Sequence, residues 1–397
     1  MIIIKNIIKE QIENPDAFLG KTKMTQSVIK DAIEKALEKI DKLWNDVHGN
    51  FASHASVNNV YEENDNYTSC GWNTGFWTGI LWLAYEATGD EKYKERALSH
   101  IPSFFKRIDQ KLGVNHHDMG FLYVPSCVAA YKLTGNREAK EAAIKAADHL
   151  LTRYIEKGGY IQAWGNVGDQ PRFIIDCMNN IPLLYWAALE TGDKSYYDKA
   201  YSHAMVTINN IVREDSSTHH TFYFNHDGTP DRGATHQGAG DNSCWARGQA
   251  WLISGLPISY KYTKNQDMLP LFEKITNYFL NRLPSDYVPF WDLDFKDGAN
   301  EPRDSSSAAI AVCGILEMLP HIKNEELKAV YMGAADKIMY SLYENYSSKN
   351  DPKSNGLLLH ASYSIPHNLG VDECNIWGCY YYFEALMRMY KGIKAYW

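Results

Sequence analysis

One punctuation mark recurs along the chain. Thr88-Gly89-Asp90, Thr134-Gly135-Asn136 and Thr191-Gly192-Asp193 each follow an apolar run and precede an amphipathic one, with a degraded copy at Thr263-Lys264-Asn265. Glycine just past a helix end supplies a left-handed cap, and the Asp or Asn beside it caps the helix that follows. The chain is therefore committed to helical hairpins. Their spacings of 46, 57 and 72 residues are too irregular for a solenoid and suit hairpins carrying loops of different length.

The helical period runs through Ile29, Ile33, Ala36, Leu37, Ile40, Trp44 and Val47. It returns in Tyr93, Ala97, Ile101, Phe104, Phe105 and Ile108, and in Ala143, Ile144, Ala147, Leu151, Tyr154 and Ile155. The first helix of a hairpin is the more apolar (80–87, 183–189) and the second is amphipathic. Apolar helices inside amphipathic ones make two concentric rings, so the expected fold is all-α, an (α/α)6 barrel of about six hairpins. We expect one domain over residues 26–397, preceded by an N-terminal extension, 1–25. Strand-like alternation is scarce; Thr221–Phe224 and residues 288–290 are expected to pair as small strands in loops.

Composition narrows the function. With 45% hydrophobic residues in 397, the chain buries a large core and is not disordered. No stretch approaches the ~18 apolar residues of a membrane span. Lys plus Arg number 40 against 48 Asp plus Glu, without a basic block, which argues against nucleic acid and anionic membranes as partners. Seven cysteines (70, 127, 177, 244, 313, 374, 379) lack CxxC or zinc spacing and read as buried thiols of a reducing compartment. The start, MIIIKNIIKEQIENP, is broken by Lys5 and Lys9 and has no small-residue cleavage site, so a cytoplasmic location is expected.

Chemistry concentrates where the helical rhythm fails. Residues 213–250 are rich in Gly, Asp, Ser and His, and a long irregular segment inside a compact domain is usually functional. Trp72 and Trp77, Trp164, Trp245 and Trp251, and Trp377 all lie beside Gly or polar residues. Flat rings in such company suit the C–H faces of sugars. Among acids, Asp118 precedes an apolar helix, and Asp176 sits among Ile174, Ile175, Cys177 and Met178. A carboxyl in apolar surroundings holds its proton at neutral pH, as a general acid must. The competing reading makes both structural, with Asp176 paired to Arg172 and Asp118 bonded to His116 or His117. His116, His117, His219, His220 and His236 lack metal-ligand spacing, so no metal or cofactor is expected and hydrogen bonding to hydroxyls or a carboxylate is favoured. There is no GxSxG, Walker or GxGxxG element.

In order, GFWTGILWLAYE, HHDMGFLY, GGYIQAWG, IIDC, HTFYF, THQG, WARGQAW, RDSSSAAIAVCG and NIWGCYYYFEAL resemble the unsaturated glucuronyl hydrolases, glycoside hydrolase family 88, from about residue 60 to the final KAYW. The resemblance implies an α6/α6 barrel that removes the 4,5-unsaturated uronic acid from oligosaccharides left by polysaccharide lyases. In that chemistry an acid protonates C4, water adds at C5, and the resulting hemiketal opens and expels the aglycone, without metal or cofactor. It further implies Asp176 as general acid/base and Asp118 as the second essential carboxylate. His220, His236, Gln237 and Arg247 would line the uronate subsite, Trp72 and Trp251 would stack on the sugar, and Trp164 would form another wall.

Three departures stand out. Cys379 replaces the Asp of the usual WGDYYY, and the stretch NDNYTSCGW before Trp72 is longer than usual. Members preferring 6-sulfated hexosamine resemble one another in an Arg where His236 stands and in a Ser-x-x-Ser-x-Lys stretch. Here that stretch is Ser364-Ile365-Pro366-His367-Asn368-Leu369, which keeps the first Ser alone, so weaker dependence on 6-sulfation is expected. The expected partners are oligosaccharides bearing an unsaturated uronic acid, and the expected state is a monomer or weak homo-oligomer. The alternatives are an unsaturated rhamnogalacturonyl hydrolase on pectin fragments, an α/α-barrel sugar epimerase using the His pairs, or a non-catalytic carbohydrate-binding barrel.

Overall fold

The computed structural model describes residues 7–67 and 71–397. Cys70, the first six residues and part of the NDNYTSCGW stretch lie outside them.

The helices are α1 (Gln26–Asp46), α2 (Thr74–Thr88), α3 (Glu91–Asp109), α4 (Met119–Tyr123), α5 (Ala129–Thr134), α6 (Arg137–Leu151), α7 (Pro182–Thr191), α8 (Lys194–Ile211), α9 (Ala246–Thr263), α10 (Met268–Asn281), α11 (Ser305–Met318), α12 (Glu325–Ser341) and α13 (Ile376–Lys391). A π-helical turn, Val124–Val128, joins α4 and α5 into one rod. The described residues thus form twelve rods, six hairpins. The inner ring runs α2, α4–α5, α7, α9, α11, α13 and back to α2, each rod packing on the next. Outside it lie α3, α6, α8, α10, α12 and α1. One hairpin joins distant parts of the chain, because inner α13 takes α1 as its outer helix.

The punctuation works as expected. Gly89, Gly135 and Gly192 sit at φ of 71, 72 and 75°, and Asp90, Asn136 and Asp193 accept backbone N–H groups of the next helix. The degraded copy uses Lys264 itself at φ 53°. Inner helices are buried on nearly every side: in α9, residues 246–260 are all buried. They approach closely at glycine. A Cβ on Gly314 would fall 2.3 Å from the Ile253 carbonyl oxygen, which locks α11 onto α9.

Two details differ from the sequence reading. Thr221–Phe224 is a strand, but it lies between Arg172–Ile174 and Pro230–Ala234 in a three-stranded antiparallel sheet, whereas Phe290 bridges to Arg303. Tyr154 and Ile155 leave the helix and pair with Tyr160–Ile161, because Leu151 already ends α6. Residues 213–250 are correspondingly less irregular than their composition suggests. Ahead of α1, residues 7–25 lie against α10 and α12, with Asp336 accepting the amides of Lys23 and Met24. At the axis, residues 395–397 are buried, and the Trp397 ring stacks parallel to Tyr381 at 6.1 Å. Six buried cysteines are free thiols, and among the described residues no helix is long and apolar enough to cross a membrane.

Candidate active site

Because inner and outer rods alternate along the chain from outer α1 to inner α13, all six inner rods start at the same end of the barrel. Trp72, Asp118, Asp176, Trp245, Asp304 and Trp377 stand at or just before those starts. Helix N-termini carry partial positive charge, so this end suits an anionic ligand.

Two carboxylates meet there around one imidazole. His117 Nε2 lies 3.2 Å from Asp118 Oδ1 and 3.2 Å from Asp176 Oδ1, with the His117 side chain wholly buried. Asp176 occupies the turn Ile175–Asn179 ahead of α7, held by the Ile175 amide on the His220 carbonyl. Asn180 ties the two loops: its Oδ1 accepts the Phe121 amide at 2.9 Å, and its Nδ2 reaches toward the Asp176 carbonyl and Asp118 Oδ1. The Asp118 amide donates to His116 Nδ1 at 3.1 Å.

This arrangement separates the acids. Burial pushes Asp176 above the usual carboxylate range, reinforced by the charge of Asp118 and only partly offset by His117. Burial pushes Asp118 the same way, but His117, His116 and Arg153 together hold its carboxyl below that range. Burial would lower His117, yet the two carboxylates outweigh it and raise it. Two acids pushed apart in this way can serve as a proton donor and a fixed negative charge. Arg172 does not hold Asp176; its guanidinium lies 5.1 Å over the Trp164 ring. The histidine contacts expected of a structural Asp118 are present, and they serve the acid pair as well.

Around the acids stands a polar wall. Buried His220 packs on Trp245, ring centroids 4.3 Å apart, and its Nδ1 accepts the amides of His236 and Gln237 at 3.1 and 3.3 Å, which puts the imidazole proton on Nε2. His236 meets the Trp164 ring edge-on at 4.8 Å. Gln237 Nε2 donates to the Tyr363 carbonyl at 2.9 Å, and Trp72 Nε1 donates to the Tyr363 hydroxyl at 3.1 Å. Ser364 Oγ bonds His367 Nδ1 at 2.7 Å in the same segment.

Some expected roles change. Arg247 is 2% exposed and spends its guanidinium on Asp304 and on the carbonyls of Ser362 and Tyr363, so it braces the Tyr363 segment instead of presenting a free charge. Trp251 is 1% exposed between Phe121 and Tyr381, a floor with no face open to a sugar. Trp77 and Trp377 are buried too, donating to the Asn50 carbonyl and Ser306 Oγ. Trp72 and Trp164 keep partly open rings. Cys379 is enclosed where donors converge: the Leu357 amide and the Tyr61 hydroxyl lie 3.3 and 3.4 Å from its Sγ. A weak sulfur acceptor thus holds the 357 segment. His219 packs across the sheet against Gly233. Ligand atoms of His117, Asp176 and Cys177 lie within 4.8 Å of one another, but burial keeps the Cys177 thiol protonated, a poor metal ligand.

The sequence reading passed over His117 as the bridge, and Asn180, Asp304 and Tyr363 altogether. HHD and IIDCMNN contain the first two, but nothing in spacing brings residues 117 and 180 together before the barrel does.

The sequence profile of Glycosyl Hydrolase Family 88 matches residues 40–390. The chain is 46% identical over 399 aligned residues to the unsaturated chondroitin disaccharide hydrolase of Streptococcus pneumoniae, covering all of both chains. The crystal structure of unsaturated glucuronyl hydrolase from Streptococcus agalactiae superposes with a TM-score of 0.96 at 48% identity, covering 99% of this chain and 100% of that one. An aspartate-to-asparagine variant from the same organism, complexed with dGlcA-GalNAc6S, superposes at 0.89 with 45% identity, over 99% of this chain and 100% of that one. A barrel whose inner helix starts gather two acids of opposite tendency, matched by a family profile over most of its length, belongs to Glycosyl Hydrolase Family 88.

Proposed function

We propose that this chain is an unsaturated glucuronyl hydrolase acting on lyase-derived glycosaminoglycan oligosaccharides. The observation that carries the reading is the split acid pair, Asp176 and Asp118 on either side of His117 Nε2. In this reading Asp176 gives its proton to C4 of the unsaturated ring. Water adds its oxygen at C5, and its proton returns to the Asp176 carboxylate. The hemiketal at C5 then opens and the aglycone leaves. Asp118 stays ionised, favours the protonated form of His117 and disfavours ionisation of Asp176. Trp72, Trp164, His220, His236, Gln237 and Ser364 face the sugar, while Arg247 and Trp251 support them. The catalytic unit is residues 26–397, working in the cytoplasm as a monomer or weak homo-oligomer.

The substrate's conjugated enol carboxylate absorbs ultraviolet light and loses that absorbance on turnover. Asp176→Asn is expected to lower kcat by about 10²–10⁴-fold with binding largely kept, since the side chains are nearly isosteric; near-normal turnover refutes the mechanism. Among substrates, Leu369 supplies no charge for a sulfate, and Ser364 is engaged by His367. Turnover of 6-sulfated and unsulfated unsaturated chondroitin disaccharides is therefore expected to be similar, and a large preference for the sulfated one overturns that expectation. A panel of lyase products that includes pectin fragments separates this reading from the rhamnogalacturonyl one.

A further inference from the structure

Trp164 has a backbone that an aromatic residue rarely adopts. Its φ is 46°, and Gly165 follows at 63°. For a bulky side chain the left-handed region is strained, and it persists where surroundings over-determine it. Here the surroundings can be named. Arg153, 1% exposed, donates from Nη2 to the carbonyls of Trp164 and Gly165 at 3.0 and 2.9 Å. Its Nε donates to the Gln162 carbonyl at 2.8 Å, and its Nη1 to Asn115 Oδ1 at 2.9 Å. Gln162, fully buried, closes the loop from inside: Nε2 donates to the Asn166 carbonyl and Oε1 accepts the Gly168 amide, each at 2.8 Å.

The fourth bond gives the arrangement its meaning. Asn115 lies three residues before Asp118, on the loop that carries His117. One planar guanidinium therefore spans the loop that carries His117 and Asp118 and the loop of the Trp164 wall, and all four of these bonds end on neutral oxygens. A buried cation is costly without dedicated partners, and structural economy alone would put an apolar side chain in such a place. A rigid fork with fixed donor directions holds two loops at one separation, which a lysine, a point charge on a flexible stem, does not.

We propose that Arg153 is a positioning residue that sets the separation between the Trp164 ring and the Asp118–His117–Asp176 cluster by clamping both loops. The inference rests on reading Trp164 as a wall of the sugar site. Arg153 is enclosed and acts through the loops it holds; its positive charge near Asp118 is kept by lysine, so Arg153→Lys tests the clamp and not the charge.

The test is a double-mutant cycle in kcat/KM for an unsaturated chondroitin disaccharide, with Arg153→Lys, Trp164→Ala and the double variant, each first checked for native circular dichroism. Trp164→Ala is expected to lower kcat/KM by about tenfold, the scale of a lost aromatic contact. Arg153→Lys is expected to cause a similar loss, mostly in KM, and less than a further twofold loss when Trp164 is already alanine, because coupled residues are non-additive. Equal losses in both backgrounds overturn the clamp. A silent Trp164→Ala overturns the proposal by a different route, since a ring without a role in the site needs no positioning, so the two failures are distinguishable. Should Arg153→Lys not fold, the exposed Asn115→Ala releases one arm; it is expected to lower kcat/KM in the wild-type background and not in Trp164→Ala, and a silent result overturns the proposal.

Discussion

At the scale of single residues, the decisive contact is an imidazole shared by two carboxylates. Its consequence is a pH profile with two limbs of known sign. Asp176 must carry a proton, and burial raises its pKa, so activity falls as pH rises through that raised value. Asp118 must be ionised, and its pKa is depressed, so activity falls on the acid side as pH drops through it. The expected kcat/KM profile is bell-shaped, and Asp118→Asn should remove the acid limb from whatever turnover remains; an unchanged acid limb would assign it to another group. Asp176 among Ile174, Ile175, Cys177 and Met178 announced its raised pKa through composition alone. The opposite shift at Asp118 was not readable, because it depends on histidines whose rings are aimed by the fold. The burial of Trp251 was unreadable for a related reason: tryptophan beside glycine marks a cleft or a tight helix crossing, and a string of letters does not distinguish them.

At the scale of elements, glycine decides how near the acids lie. Gly120 stands in the first turn of α4, and a Cβ there would fall 2.4 Å from the Asn180 Cα and 2.5 Å from its carbonyl oxygen. Both are backbone atoms that no rotamer change moves aside. Gly120→Ala must therefore push α4 from the turn that carries Asp176 and stretch the Asn180 tie. The expected outcome is a loss of kcat of about 10²-fold, the scale at which ångström misplacement acts, with part of the stability lost as well. Wild-type turnover in that variant would show that the two elements need no such proximity. The hairpins themselves were plain in the sequence, because capping chemistry is local: Thr-Gly-Asp states where one helix ends and the next begins. The three-stranded sheet was not, since Arg172–Ile174 pairs with a segment some fifty residues on, and nothing in a three-residue strand declares its partner.

For the whole molecule, stability carries a pH dependence separate from activity. Burial lowers His100 to about 4 and His203 to about 3, and both are satisfied as neutral rings, His100 between Thr78 and the Gly49 carbonyl, His203 accepting the Ile161 amide. In the unfolded chain each titrates near 6.5. Between those values the unfolded state binds more protons, so their contribution is complete above about pH 6.5 and shrinks as pH falls, toward about 4 for His100 and about 3 for His203, by roughly a few kcal/mol for each ring. The melting temperature is expected to drop on acidification over that window, and His100→Gln should flatten the slope; an unaltered slope would place the acid sensitivity elsewhere. The ring closure between α1 and α13 reaches further, into how such a chain is made. On a ribosome α1 emerges early, and its mate follows more than three hundred residues later, so the nascent protein spends most of its synthesis as an open arc with an unpaired edge at either side. The last hairpin to assemble is the first to have been started, and newborn chains at that stage are the ones a chaperone would most usefully shield.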